Sequence, residues 1–117
     1  MIYKGTTIAQ NILNKASSKQ DFTVILKKNK GRYIVAQYNI YLGKNPSICS
    51  ELIVRLSDTL EKNIYHSIGG WLDSEKGNYW LDANMHFDNL NDCIATAKSN
   101  GELAIYDTLE NKVIYIN

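Results

Sequence analysis

The residues of this chain with chemistry to offer are few: His66 and His86, Cys49 and Cys93, and the aspartates Asp73 and Asp82. A metal site needs the two histidines to converge with carboxylates such as Asp82 or Asp88. Asp82 and His86 are four apart, but the stretch between them reads as strand end and loop, so the spacing carries no ligand signature. Asp73 and Asp82 flank one hairpin loop and could form an acid–base pair; aspartates at strand ends more often accept from backbone N–H groups of the adjoining turn. No Gly-x-Ser-x-Gly occurs, and neither cysteine has a cue for activation. Gly69-Gly70 lies within a strand and lacks the lysine and serine of a phosphate loop. The expectation is a chain that is not an enzyme, with no catalytic, metal or cofactor-binding residue to assign.

Two other groups of residues can bind rather than react. Trp71, Tyr79 and Trp80 cluster on a central hairpin. Adjacent strand residues point to opposite faces, so one of Tyr79 and Trp80 enters the core while the other is exposed or covers the hairpin. An exposed aromatic there, rimmed by Asp73, Asp82 and Tyr79, would make a protein-binding surface. Lys27, Lys28, Lys30 and Arg32 form a basic tip with Tyr33 and Tyr38 nearby, a candidate contact for a nucleic-acid backbone. A solvated turn that protects a sheet edge is the plainer reading of such a tip.

Composition bounds the rest. At 117 residues, 44% hydrophobic and 21% charged, the chain is a single globular domain, 1–117. No apolar run approaches the ~20 residues of a membrane span, and the first residues lack a signal-peptide core. Cys49 and Cys93 are too few for a disulfide framework, and both fall in helical patterns. Buried free thiols and a cytoplasmic location are expected. The net charge of +1 hides an asymmetry: residues 1–58 hold nine Lys/Arg against three Asp/Glu, residues 59–117 four against nine. Two faces of opposite sign would orient the molecule on a charged partner; segregated solvated charges are the alternative.

These residues must be positioned by elements in the order α-ββ-α-ββ-α-ββ. Thr6 or Thr7 caps a first helix through about Ala16. Phe22–Lys27 and Arg32–Tyr38 read as a hairpin around Asn29-Lys30-Gly31, followed by a loop from Asn39 to Asn45. Pro46 opens a second helix ending near Lys62, with an apolar stripe at Ile48, Leu52, Leu56 and Leu60. Tyr65–Asp73 and Tyr79–Ala83 form the central hairpin; Gly69-Gly70 marks a bulge or a close approach. Asp88 or Asn89 caps a third helix, which Asn100-Gly101 stops, and Leu103–Tyr106 and Val113–Ile116 follow. The fold class is α+β: a mostly antiparallel sheet of about six strands with helices on one face. Its core should hold Ile8, Ile12, Val24, Leu26, Ile34, Leu52, Leu56, Leu60, Leu90, Ile94, Leu103, Ile105 and Ile114.

Ile68-Gly-Gly-Trp71 with Asp73, then Tyr79-Trp-Leu-Asp82, then a helix ending Lys98-Ser-Asn-Gly101, then Leu103-Ala-Ile-Tyr-Asp107, resembles a small module of phage, plasmid and conjugative-element proteins. The resemblance spans about the last fifty residues, with a weaker echo in Ala9-Gln-Asn-Ile-Leu-Asn-Lys15. It carries no catalytic motif. It implies a mobile-element origin, and with it a protein that docks on a host protein. The leading partner is a host defence nuclease of the CRISPR or restriction type, which makes the chain an anti-CRISPR-like inhibitor. A nucleic-acid-binding accessory protein using Lys27, Lys28, Lys30 and Arg32 is the alternative.

Overall fold

Strict alternation of side chains along residues 78–87 organises the molecule. The computed structural model describes residues 4–27, 31–46 and 50–116. The elements are α1 (Lys4–Ser17), β1 (Phe22–Ile25), β2 (Tyr33–Gly43), α2 (Ser50–Lys62), β3 (Ser67–Asp73), β4 (Asn78–Phe87), α3 (Leu90–Asn100), β5 (Ala104–Asp107) and β6 (Lys112–Tyr115). The six strands form one antiparallel sheet in the order β1-β3-β4-β2-β5-β6. The fold is α+β in the expected element order.

Tyr79, Leu81 and Ala83 of β4 are buried under Ile12, Leu13 and Ala16 of α1 and Leu52 and Leu56 of α2. Two and four residues further on, Met85 and Phe87 pack with Cys93 and Ala97 of α3, beside Tyr33, Val35 and Ile105. All five β4 residues share one parity, so all three helices cover the same face of the sheet. The even residues Trp80, Asp82, Asn84 and His86 point to the other face, which no helix covers.

Local chemistry sets the helix ends. Asn89 caps α3 in an extended conformation, and its side chain accepts from the Asp92 N–H. Gly101 ends the helix at φ 72°, donating back to Lys98 while the Glu102 N–H reaches Ala97. That left-handed conformation is the one glycine enters without penalty. Gly69-Gly70 is not a bulge, since its register with β1 and β4 is unbroken. At Gly70 a Cβ would collide with the Tyr79 hydroxyl and the Phe22 ring, so the close approach is made by side chains.

The structure corrects several sequence readings. β1 and β2 are not a hairpin: β1 pairs with β3, and β2 with β4 and β5. The Asn29-Lys30-Gly31 signal lies within a connection that crosses two strands, about 14 Å; Asn29 and Lys30 lie outside the described residues. The stretch from Asn39 is strand, because β2 runs to Gly43 with irregularities between Ala36 and Tyr38 and between Asn39 and Tyr41. Each adds an unpaired residue, Gln37 and Ile40, which breaks the alternation and hides the strand. β4 extends past Ala83 to Phe87, since Asn84 and His86 look polar but occupy the uncovered face. Leu103 is 77% exposed rather than core, lying before β5 and past the end of α3. Ile34 sits half-buried on the uncovered face, opposite His86. Pro46 does not open the second helix: it is buried but not helical, ahead of α2 (Ser50–Lys62); Ile48 and Cys49 lie outside the described residues, and Cys93 is buried and free.

Leu56, 0% exposed, is the centre of the α2 contact. Leu56→Ala should lose about 2–5 kcal/mol through lost burial plus a cavity, and Leu103→Ala under about 0.5 kcal/mol. Urea unfolding of the two variants checks the contrast.

Candidate docking face

Register builds the uncovered face in rows. Trp71 of β3 pairs with Trp80 of β4, and Trp80 with Leu42 of β2. Asp21 borders the row, accepting from the Leu72 N–H at 2.9 Å. The next row on this face holds Thr23, Gly69, Asp82 and Asn39, and the one after it Ile25, Ser67, Asn84 and Ala36. Trp71 is 53% exposed and Leu42 47%. Trp80 is half-buried, and its Nε1 is shielded from solvent with no hydrogen-bond partner among the described residues. Cross-strand aromatic pairing stabilises the rungs, yet the row keeps a large apolar area in water.

Tyr79 does not belong to this surface. It is fully buried on the opposite face, and its hydroxyl donates to the Gln20 carbonyl at 2.7 Å. Burial pushes its pKa up, with a smaller contribution from Asp21. Asp82 is not at the hairpin loop: it pairs with Gly69, four residues along β3 from Asp73, about 13 Å. Asp73 instead accepts from Glu75 and Lys76 N–H groups in the turn. Asp73, Asp82 and His86 therefore do not converge into an acid–base site. Asp21 was the acid the sequence reading missed; nothing in the sequence places it beside Trp71, since β1 joins the sheet only in three dimensions.

Asp82 has a different neighbour. Its carboxylate accepts from Asn39 Nδ2 at 2.9 Å. Burial raises its pKa, partly offset by that bond. Burial also raises the pKa of Glu102, and the Asp82 charge adds to the rise. The Asp82 charge thus opposes the ionisation of Glu102.

Beyond Asp82 the face is polar and buried. Ser67 is 0% exposed, and its Oγ lies 2.6 Å from His86 Nε2. Asn84 Nδ2 donates to the same Oγ at 3.2 Å. The His86 backbone N–H donates to His66 Nδ1 at 3.1 Å, which requires an unprotonated His66 nitrogen; burial and then Lys27 lower the His66 pKa accordingly. A serine hydroxyl beside an imidazole has the composition of a nucleophile and its base. Here the hydroxyl is closed to any substrate, and the cluster joins β3 to β4. No group of three or more metal-ligating side chains forms among the described residues, and no helix among them is long and apolar enough to cross a membrane.

The basic tip is changed as well. Arg32 donates through Nε and Nη2 to both Asp107 oxygens, each at 2.8 Å. The pairing drives the Asp107 pKa down to about 2. Arg32 therefore ties β5 to the start of β2 and offers little free charge to a phosphate. Lys28 and Lys30 lie outside the described residues, and Lys27 is half-buried beside His66.

Comparison of the chain with protein-family models, with curated proteins and with solved structures finds no match.

Both acid pKa values are raised in the folded state, so ionising Asp82 and Glu102 costs stability above the ordinary carboxylate range, and the cost is relieved as pH falls through the raised values. Asp82→Asn should bring the Glu102 pKa down towards 4.5 and flatten that part of the stability–pH curve. Side-chain carboxyl NMR titration of the variant measures the first effect, and chemical denaturation across pH the second.

Proposed function

We propose that this chain is a non-enzymatic binding protein that seats a basic protein surface on the Trp71–Trp80 face. The observation that carries the reading is the row Trp71–Trp80–Leu42, large apolar side chains on a helix-free sheet face, with Asp21, Asp73 and Asp82 around it. Large rigid aromatics supply most of the energy of such contacts, and surrounding charges set the encounter rate and the choice of partner. The shielded Trp80 Nε1, without a hydrogen-bond partner among the described residues, adds a cost of about 1–3 kcal/mol, the kind of local violation that folds retain at functional sites. Acids around an apolar centre fit a partner with a cationic surface, and proteins that handle nucleic acid present one. A host defence nuclease of the CRISPR or restriction type fits that chemistry, in keeping with the mobile-element resemblance, and docking would inhibit it by occupying its basic surface. The reading in which this chain itself binds nucleic acid is weakened by the engagement of Arg32 with Asp107.

Affinity capture from a bacterial lysate at about 0.15 M salt, with mass spectrometry, tests the proposal. A basic, nucleic-acid-handling protein is expected, and Trp71→Ala should weaken its binding by about tenfold or more. Asp21→Asn with Asp73→Asn keeps the backbone hydrogen bonds but removes charge, so association should slow several-fold with little change in dissociation. Capture of nothing, or capture indifferent to Trp71→Ala, rejects the proposal.

A further inference from the structure

The last strand of the sheet has the features of an interface of its own. Five of the twelve large apolar side chains left exposed among the described residues lie between Leu103 and Tyr115. β6 ends the strand order, so one of its backbone edges is unpaired within the described sheet. Natural edge strands are guarded by proline, bulges or inward-facing charge. β6 has none of these except Lys112 at its start, and its register with β5 is unbroken. The opposite edge strand, β1, is bracketed by Asp21 and Lys27.

The hydrogen-bond phase of β6 is fixed by its inner side. The Ile116 N–H donates to the Leu103 carbonyl at 2.8 Å, and the rungs Ala104–Tyr115, Ile105–Ile114 and Tyr106–Val113 follow in order. In an antiparallel ladder hydrogen-bonded rungs alternate. Lys112, Ile114 and Ile116 therefore turn their backbone groups inward, while Val113 and Tyr115 turn theirs to the free edge. On the uncovered face the same two residues present side chains that are 49% and 78% exposed.

We propose that β6 pairs antiparallel with β6 of a second copy of this chain, in the register centred on Ile114. That register sets Val113 opposite Tyr115 of the second copy, and Tyr115 opposite its Val113. The outward groups of these residues then form four backbone hydrogen bonds, and each rung is an aromatic on a β-branched residue, a favourable cross-strand pair. The half-buried Ile114 meets its own copy at the two-fold axis on the helix side. The two Lys112 residues lie about 13 Å apart along the ladder, beyond the roughly 8–10 Å over which salt leaves charges unscreened. The pattern is self-complementary, as a two-fold interface requires. The contact is small, so the dimer is a concentration-dependent one.

Sedimentation velocity of the whole chain from low to high micromolar concentration tests this, together with amide hydrogen exchange by NMR. A shift from monomer to dimer is expected, with the Val113 and Tyr115 amides gaining protection while those of Ile114 and Ile116 are already protected. Val113→Pro removes an outward donor without touching the β5 ladder, and should weaken association by about tenfold or more. Tyr115→Lys, at the most exposed position of the strand, should do the same with unchanged thermal melting. Trp71→Ala should leave the dimer intact, which separates this result from the docking face. A monomer at every concentration, or a dimer indifferent to both β6 variants, overturns the proposal.

Discussion

The constraint on which the rest depends is that three helices are laid on one side of a six-stranded sheet, so that β4 must serve two environments at once. Its odd residues fill a close-packed core, and its even residues face the side no helix covers. A one-residue slip in β4 would exchange Tyr79 and Leu81 for Trp80 and Asp82 and destroy both surfaces. The register is held by apolar burial on one side and by polar contacts on the other. Tyr79 joins the two requirements: its ring lies in the core over Gly70 while its hydroxyl ends on the Gln20 carbonyl. A larger residue at Gly70 would push that ring away and loosen β3 from β4.

Without a helix over it, the second face must satisfy its own buried polar groups. Ser67, Asn84, His86 and the His66 ring do so as one connected set, and networks of this kind specify register because a shift breaks several bonds together. Arg32 solves a different problem. β5 meets β2 over only two registered pairs, Tyr33–Asp107 and Ile34–Tyr106, too few to hold a hairpin firmly. The bidentate Arg32–Asp107 pair and the Thr108 bonds to the Arg32 carbonyl supply the remaining attachment. Asp107 is 2% exposed and Arg32 36%, so removing the arginine would leave a buried, uncompensated carboxylate.

What was legible in the sequence was whatever one segment decides alone. The order of elements, the Asn89 cap, the Gly101 stop and the buried stripe of Leu52 and Leu56 follow from local rules that tertiary contacts did not overrule. The strand pairing was not legible, because local turn chemistry suggests a neighbour but does not choose it; β2 buries more by lying between β4 and β5 than by folding back on a four-residue β1. The end of β2, from Asn39 to Gly43, stayed hidden because the extra residue Ile40 erases the alternation that announces a strand. For the binding face, the placement of Tyr79 and Trp80 on opposite sides was forced by adjacency, but which one entered the core depended on Gly70 making room for a ring on one side only. Asp21 and the pairing of Arg32 with Asp107, 75 residues apart, had no local trace.

The same topology decides what becomes of the charge asymmetry between the two halves of the chain. β1 and β2 come from the basic half, β3 to β6 from the acidic half, and the strand order interleaves them, so the halves do not become two faces. Asp21 from the basic half and Asp73 and Asp82 from the acidic half meet instead around the tryptophan row. If two copies join through β6, the two Trp80 residues at the row centres lie seven strand spacings apart, about 33 Å. A twist of roughly 20° per strand then turns the rows by roughly 140° relative to each other. Pairing through β6 keeps both uncovered faces on one continuous surface, yet that surface winds until the two rows face largely away from each other. Such a dimer would not grip one partner twice and gain avidity; it would hold two partners on opposite sides, and each docking event would remain as strong as a single Trp71 face makes it.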